Sequence, residues 1–161
     1  MQATDTEQLT EKVAEQLRQQ QRMICTAESC SGGLIAKTFT DLAGSSEWFD
    51  RGFVTYSNQS KQDMLGVKVA TLEADGAVSK TVVTEMASGA LIHSQAQVAI
   101  AVTGIAGPGG GSETKPVGTV WFGFALEDRV IAEKQCFKGD RAQVRQASLE
   151  YALRRMHELL T

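Results

Sequence analysis

The sequence has 161 residues, of which 42% are hydrophobic and 22% are charged, and this composition is ordinary for a globular domain. A chain of this length can form one compact core, so we predict a single domain over residues 1–161. The formal net charge of −3 disfavours a nucleic-acid partner, because nucleic-acid-binding surfaces usually carry an excess of basic residues. No apolar run approaches the roughly 20 residues of a membrane span, so we expect no membrane association.

The first 21 residues and the cysteines indicate the cellular compartment in which we expect the protein. The N-terminal stretch lacks the basic start and apolar core of a signal peptide. The three cysteines, Cys25, Cys30 and Cys136, form neither a disulfide framework nor the spacing of a zinc site. We therefore expect a cytoplasmic protein with no metal and no other cofactor.

The predicted elements begin with a helix. Thr4 and Glu7 form a capping-box pattern, and Leu9, Val13 and Leu17 follow at four-residue spacing, which predicts a helix to about Gln21. Hydrophobic patterns and turn residues then predict, in chain order, a strand at 23–27, a helix at 34–42, a strand at 53–56, a helix at 58–65, a helix at 79–91, strands at 98–102, 117–126 and 130–137, and a helix capped by Asp140.

This alternation of helices and strands, with a hairpin near the end, predicts the fold class. We expect an α/β protein, a three-layer α/β/α sandwich on a mixed, partly parallel sheet. Ligands of such sheets usually bind outside the carboxyl ends of the parallel strands. Three loops follow such strands here, at 28–33, 56–61 and 103–116, and we expect the functional site among them.

The first loop places Ser29, Cys30 and Ser31 between a buried strand and a helix start. A hydroxyl at this place, followed by Gly32 and Gly33, suits nucleophilic attack with an oxyanion held by backbone amides. Alternatively, Ser31 caps the helix and the glycines form the turn, and the loop alone favours this second interpretation. Cys30, beside Ser29, is an alternative nucleophile, but we expect it to be a packing residue, because no histidine lies nearby to form a thiolate.

The second loop supplies a candidate base. The two histidines, His93 and His157, fall late in predicted helices, which disfavours a Ser-His-Asp triad. A lysine can replace histidine if burial lowers its pKa, and Lys61 lies one turn into the short helix after this loop. Tyr56, at the strand end, is a candidate proton relay between serine and lysine. The alternative is that Lys61 is a solvated surface lysine.

The third loop is rich in glycine from 104 to 111. It lacks the Gly-Lys-Ser/Thr of a P-loop, and Ser112 stands where the dinucleotide fingerprint requires glycine. It can still bring its backbone close to a ligand, with the Thr103 hydroxyl and the Gly104 amide as donors. The alternative is a flexible surface loop. Arg141 and Arg145, at the start of the last helix, either bind a phosphate, cross a dimer interface or remain solvated.

Together these segments resemble the CinA C-terminal domain family. The resemblance rests on AESCSGG at 27–33, GFVTYSN at 52–58 with Lys61, GAVS at 76–79, TGIAGP at 103–108 and GDR at 139–141. It implies hydrolysis of the carboxamide of nicotinamide mononucleotide to nicotinate mononucleotide and ammonia. The family motif usually has threonine where this chain has Ser31. The resemblance therefore implies that Ser29 is the nucleophile and Ser31 a helix cap or ligand contact.

These inferences give one working hypothesis. Ser29 attacks, Lys61 acts as base with Tyr56 as a possible relay, and amides of residues 31–33 hold the oxyanion. The expected substrate contacts are Ser31, Gly32, Gly33, Asn58, Thr103, Gly104, Gly107, Arg141 and Arg145. The expected partners are a small-molecule nucleotide and further copies of the chain in a homo-oligomer, which would cover the glycine-rich loop. Two alternatives stay open: a non-catalytic nucleotide-sensing domain, and hydrolysis of another small amide or ester.

Overall fold

A computed structural model describes residues 4–161, and in this part of the chain a five-stranded sheet carries helices on both faces. The strands are β1 (Ile24–Glu28), β2 (Phe49–Val54), β3 (Val98–Gly104), β4 (Thr119–Leu126) and β5 (Arg129–Cys136), and the helices are α1 (Asp5–Gln20), α2 (Leu34–Thr40), α3 (Asn58–Leu65), α4 (Val69–Asp75), α5 (Lys80–Ile92) and α6 (Arg141–Leu159). None of these helices has the length and hydrophobicity of a transmembrane span.

The sheet is mixed, as predicted. Its strand order is β2-β1-β3-β4-β5. β1 lies in the centre of the parallel part, between β2 and β3, while β3, β4 and β5 pair antiparallel. The carboxyl ends of β1, β2 and β3 therefore meet at one edge of the sheet.

Side chains of very different size line the two faces of the sheet. We call the face covered by α1, α2 and α6 the large-residue face, because its strands contribute Ile24, Val98, Ile100, Val102, Val120, Phe122, Phe124 and Leu126. We call the opposite face, covered by α3, α4 and α5, the small-residue face, because its strands contribute Cys25, Ala27, Ala99, Ala101 and Ala125. Helices on both faces confirm the predicted three-layer sandwich.

The predicted helix caps form as the sequence indicates. The Thr4 hydroxyl accepts the Glu7 amide, and the Glu7 carboxylate accepts the Thr4 amide. Asp140 and Gln143 form the same reciprocal pair at the start of α6. These local bonds satisfy amides that have no partner within a helix, and therefore the helix starts were readable from the sequence.

Two elements differ from the prediction by more than the one or two residues seen at the ends of other helices and strands. β2 begins at Phe49, four residues earlier than predicted, because an edge strand that pairs with β1 alone leaves room in solvent for polar residues such as Arg51. α4 was not predicted at all. It has seven residues, and Lys68, which precedes it, makes no side-chain cap bond, so the sequence carries no start signal for this helix.

Candidate active site

The loops that follow β1, β2 and β3 enclose a cavity of about 290 Å³. It lies at the sheet edge where the sequence analysis placed the site. The residues that line it are Ser29, Cys30, Tyr56, Asn58, Lys61, Ala77, Val78, Thr103, Gly104, Ile105, Ala106, Gly107, Gly109, Gly110 and Arg141. Eight of the predicted site residues are therefore brought together, and Ser31, Gly32, Gly33 and Arg145 are not part of the lining.

The end of β1 sends consecutive side chains to opposite faces of the sheet, as a strand must. The fully buried Glu28 faces α2, and Ser29 faces α3. Ser29 is 8% exposed, and its amide donates to the Val102 carbonyl at 3.0 Å. The hydroxyl is thus anchored next to β3 and directed into the cavity.

Lys61 is the second residue of the candidate catalytic pair. Its side chain is 1% exposed, and its Nζ lies 3.0 Å from Ser29 Oγ, 2.8 Å from the Thr55 carbonyl oxygen and 3.4 Å from the Tyr56 carbonyl oxygen. Burial lowers the pKa of Lys61 to about 8, since the charged form loses its hydration. A neutral amine has two hydrogens and one lone pair. In its charged form Lys61 donates to Ser29 Oγ and to both carbonyls; once it loses a proton, its two hydrogens can stay on the carbonyls and its lone pair can accept the Ser29 hydroxyl.

Packing of α3 against α5 keeps Lys61 in place. Ser57 and Ser60 form a reciprocal cap at the start of α3, which sets the helix register that contains Lys61. At the other end of α3, the Leu65 carbonyl lies so close to Gly89 of α5 that a Cβ at Gly89 would overlap it. Small residues on this side of the sheet thus let the lysine helix sit deep in the protein.

Tyr56 does not stand between Ser29 and Lys61. Its side chain is 63% exposed, and its hydroxyl lies 3.3 Å from Arg141 Nη2. Lys61 contacts Ser29 directly, so the geometry does not support the relay that the sequence left open. Tyr56 instead contributes a backbone carbonyl to Lys61 and a phenol to the rim of the cavity.

The far wall of the cavity is mostly backbone. The Thr103 hydroxyl donates to the Ala77 carbonyl at 3.0 Å, and Arg141 Nη1 donates to the Gly107 carbonyl at 2.8 Å. Gly107 has a left-handed φ of 86°, and a Cβ at Gly104 would stand 2.7 Å from the Val120 side chain. Both glycines are therefore required by the path of the chain.

The remaining predicted contacts lie behind the nucleophile loop. Ser31 is fully buried, and among the described residues its hydroxyl has no hydrogen-bond partner. Arg145 Nη2 donates to the Ser31 carbonyl at 3.1 Å. The prediction that Ser31 caps α2 is wrong: the residue before α2 is Gly33, no side chain of the loop caps the helix, and Glu28 accepts the first-turn amides instead.

The structure also shows which backbone amides after Ser29 are free to donate a hydrogen bond to an oxyanion. The Gly32 amide donates to the Ser29 carbonyl at 3.1 Å and is therefore occupied. In the part of the chain that is described, the amides of Cys30 and Ser31 have no acceptor. Cys30 directly follows Ser29 and lines the cavity, whereas Ser31 is fully buried and does not line it, so the Cys30 amide replaces Gly32 as the better candidate.

One group next to Ser29 was missed in the sequence. Glu28 was given no role there, because its contacts with the α2 amides seven and eight positions away leave no local pattern. The Cys30 thiol lines the cavity, and burial raises its pKa to about 11, so it is protonated at neutral pH. His93 Nδ1 lies 2.8 Å from the Gly89 carbonyl and His157 Nδ1 lies 2.9 Å from Gln16 Oε1, and neither lines the cavity.

Comparison of the chain with known proteins identifies its family. Residues 6–160 match the CinA C-terminal domain. The nicotinamide-nucleotide amidohydrolase PncC of Escherichia coli K12 is 54% identical over 153 residues, or 93% of each chain, and the PncC of Enterobacter agglomerans is 61% identical over 131 residues, or 81% of this chain and 80% of that protein. The crystal structure of the competence/damage inducible protein CihA from Agrobacterium tumefaciens superimposes with a TM-score of 0.95 at 44% identity, covering 100% of this chain and 99% of the other. The motifs, the fold and these matches agree, and the chain belongs to the CinA C-terminal domain family.

Proposed function

We propose that this protein is an amidohydrolase that converts nicotinamide mononucleotide to nicotinate mononucleotide and ammonia, with Ser29 as nucleophile and Lys61 as base. The proposal rests mainly on one observation: the buried Lys61 amine lies 3.0 Å from the Ser29 hydroxyl, and both residues line the cavity. Relatives at 54% and 61% identity bear the name nicotinamide-nucleotide amidohydrolase, and this supports the choice of substrate.

The first half-reaction forms an ester. Neutral Lys61 takes the proton of Ser29 as Oγ bonds to the carboxamide carbon, and the carbonyl π electrons move to oxygen. The Cys30 amide donates to this oxyanion. Collapse of the intermediate breaks the carbon–nitrogen bond, and the protonated Lys61 gives its proton to the leaving nitrogen. Ammonia departs and leaves a nicotinoyl ester on Ser29.

The second half-reaction uses the same groups. Lys61, again neutral, takes a proton from a water molecule that attacks the ester carbon. The oxyanion forms at the same amide, the carbon–oxygen bond to Ser29 breaks, and Ser29 recovers its proton from Lys61. The product is the carboxylic acid of nicotinate mononucleotide, which loses its proton to solvent and becomes the carboxylate, and no metal or cofactor takes part.

The rest of the cavity holds the nucleotide. We assign the phosphate to Arg141, whose guanidinium lies at the cavity and is fixed by the Gly107 carbonyl. Asn58, Thr103, Gly104 and Gly107 line the same cavity as Arg141 and Ser29, and we assign the ribose to them. Arg145 acts on the nucleophile loop through the Ser31 carbonyl rather than on the substrate.

This mechanism predicts how the rate depends on pH. Only neutral Lys61 can take the serine proton, and its pKa is about 8. We expect kcat/KM to fall about tenfold for each pH unit below 8 and to level off above it. A pH profile of ammonia release checks this, and a rate that is highest near pH 6 would contradict a lysine base.

The direct test is chromatographic. The protein is incubated with nicotinamide mononucleotide, and nicotinate mononucleotide and ammonia are measured, with nicotinamide and glutamine as negative controls. Ser29→Ala and Lys61→Ala should lose on the order of 10⁶ in rate, as when a nucleophile–base pair is broken in a serine protease. Lys37→Ala, which removes an exposed lysine paired with Asp41, is the matched control and should retain the wild-type rate.

Two outcomes would refute the proposal. Binding of the nucleotide without ammonia release would favour the nucleotide-sensing alternative. Near wild-type rates in folded Ser29→Ala and Lys61→Ala would exclude the Ser-Lys pair.

A further inference from the structure

Glu28 is a buried carboxylate that the proposed mechanism does not use. It is the last residue of β1, it is fully buried, and it directly precedes Ser29. Its Oε1 accepts the Ile35 amide at 2.9 Å, and its Oε2 accepts the Ala36 amide at 3.0 Å. Burying a carboxylate is costly unless it is well partnered, so a charge at this place needs an explanation.

The first turn of α2 is capped differently from that of four other helices. In α1, α3, α5 and α6, the side chain of the residue directly before the helix accepts the amide of the third helical residue; these capping residues are Thr4, Ser57, Ser79 and Asp140. α2 instead follows Gly33, which has a left-handed φ of 100° and no side chain to cap with. Its acceptor comes from the strand on the other side of the nucleophile loop.

This contact closes the loop from Ser29 to Gly33. On the β1 side, the Ser29 amide is held by the Val102 carbonyl at 3.0 Å. On the α2 side, the two bonds to Glu28 fix the helix start to the end of β1. Between these anchors, the Cys30 and Ser31 amides have no acceptor within the described residues. In a nucleophile elbow, the amide that follows the nucleophile is an oxyanion donor.

We propose that Glu28 is a positioning residue for the nucleophile loop. By holding the first turn of α2, it fixes the path of the loop so that the Cys30 amide faces the carbonyl group that Ser29 attacks. Glu28 acts through the backbone and does not touch the substrate. This inference rests on the proposed role of Ser29, but it does not depend on which amide is hydrolysed.

The first test is Glu28→Gln. Glutamine keeps the shape of the side chain, but its NH2 group cannot accept a hydrogen bond, so one of the two α2 amides loses its acceptor. Removal of one oxyanion donor typically costs about 10²–10³ in kcat, and loosening the loop should cost roughly tenfold to hundredfold. We expect KM for nicotinamide mononucleotide to stay within about threefold. The pH at half-maximal rate should not move, because Lys61 is untouched.

Thr4→Ala is the matched control. It removes the cap of α1 at a residue that does not line the cavity, and should lower Tm while leaving kcat unchanged. If Glu28→Gln lowers Tm in the same way and keeps the wild-type kcat, Glu28 is only a helix cap and the proposal is overturned. A shift of the pH midpoint would also overturn it, since that would show Glu28 acting on Lys61.

The second test does not need the natural substrate. The rate at which phenylmethanesulfonyl fluoride labels Ser29 is followed by mass spectrometry in wild type, Glu28→Gln and Thr4→Ala. We expect at least about a tenfold slower rate in Glu28→Gln alone, because the reagent also develops negative charge at the site of attack. If the wild type is labelled but releases no ammonia from nicotinamide mononucleotide, the proposed substrate is wrong, and the labelling rates still decide the role of Glu28.

A second variant covers the case in which Glu28→Gln does not fold. Glu28→Asp keeps both acceptor oxygens on a side chain that is one carbon shorter, so the loop must move or the bonds to α2 must lengthen. Slower labelling supports the proposal, and a wild-type rate overturns it. A wild type that neither reacts with the reagent nor releases ammonia has no nucleophile to position, and this result overturns both proposals.

Discussion

The two faces of the sheet do different work in this protein. On the large-residue face, bulky side chains fill the space under the helices, and Phe39 packs edge to face on Trp48 with ring centroids 5.3 Å apart. On the small-residue face, alanine and glycine bring helix backbone close to the strands: a Cβ at Gly123 would stand 2.7 Å from the Val83 carbonyl of α5. The first face supplies most of the buried apolar volume, and the second sets the depth at which the helices lie.

This difference explains why the base comes from the small-residue face. α3 packs against α5, and Lys61 lies at the carboxyl end of the strands with almost no contact with solvent. A helix held further out by large side chains would leave its lysine hydrated and its pKa near the ordinary value. The large-residue face therefore stabilises the fold, while the small-residue face tunes the chemistry.

The largest expected effect comes from replacing Lys61 with an apolar residue of similar length. In Lys61→Met, ammonia release from nicotinamide mononucleotide should fall by about 10⁴–10⁶. The free energy of unfolding at pH 7 should rise by roughly 1 kcal/mol, because relief from burying the charge exceeds the loss of two hydrogen bonds. Urea unfolding and a steady-state assay measure both quantities. A variant that is both less active and less stable would show that Lys61 supports the fold instead.

A pair of substitutions on neighbouring residues of β3 compares the two faces directly. Ile100→Ala, on the large-residue face, should cost about 2–5 kcal/mol through the cavity it creates and leave the kcat of the folded enzyme unchanged. Ala101→Ile, on the small-residue face, should cost about 1–3 kcal/mol by overpacking. It should also lower kcat about tenfold, because α5 and α3 must move outward. Equal losses of kcat in both variants would remove the distinction between the faces.

The pH dependence of stability provides a third comparison. The pKa of Lys61 is about 8 in the folded protein and 10.5 ordinarily, so the unfolded chain binds the proton more tightly. The destabilisation is therefore complete below pH 8 and is relieved as pH rises from 8 to 10.5, a change of about 3 kcal/mol. The Cys25 and Cys30 thiols have raised pKa values and oppose this trend above pH 9.

The difference between wild type and Lys61→Met isolates the lysine, since both proteins carry the same cysteines. Lys61→Met should be roughly 1 kcal/mol more stable at pH 7, the two proteins should be about equally stable between pH 8.5 and 9, and wild type should be the more stable protein at pH 10. A difference that stays constant with pH would mean that Lys61 is not desolvated in the folded protein.

The smallest effect is expected at Arg141, which reaches the cavity from a helix of the large-residue face. Arg141→Lys keeps the charge but loses the paired contacts to the Gly107 carbonyl and the Tyr56 hydroxyl. We expect KM for the nucleotide to rise about tenfold with kcat within about threefold. An unchanged KM for the nucleotide would remove Arg141 from the phosphate site.

Much of the fold could be predicted because its signals are local. Cap pairs such as Thr4 with Glu7, and the alternation of apolar residues in the strands, are read within a few positions of the chain. The start of β2 and the whole of α4 escaped prediction because their stability comes from packing against β1 and α5 rather than from local patterns. Homo-oligomerisation, a cytoplasmic location and the absence of cofactors stay predictions from the sequence.

The sequence predicted which loops form the site and that Ser29 and Lys61 lie together in it. Ser29 and Lys61 lie together because parallel strands bring their carboxyl ends to one edge, which is a rule of topology. The contacts of Tyr56, Ser31 and Glu28 depend on how the loop closes in three dimensions. The Glu28 carboxylate reaches amides seven and eight positions further along the chain, and no sequence pattern records that distance.

The glycine-lined wall of the cavity has a consequence for redesign. Gly104 and Gly107 accept no larger residue, because the Val120 and Val117 side chains already occupy the space beside them. At these two positions the path of the main chain sets the ligand preference, whereas Gly109, which also lines the cavity, has open space where a Cβ would stand. Selection for a larger or smaller ligand should therefore yield substitutions of Gly109 and changes of loop length between Gly107 and Pro116, and no substitutions of Gly104 or Gly107.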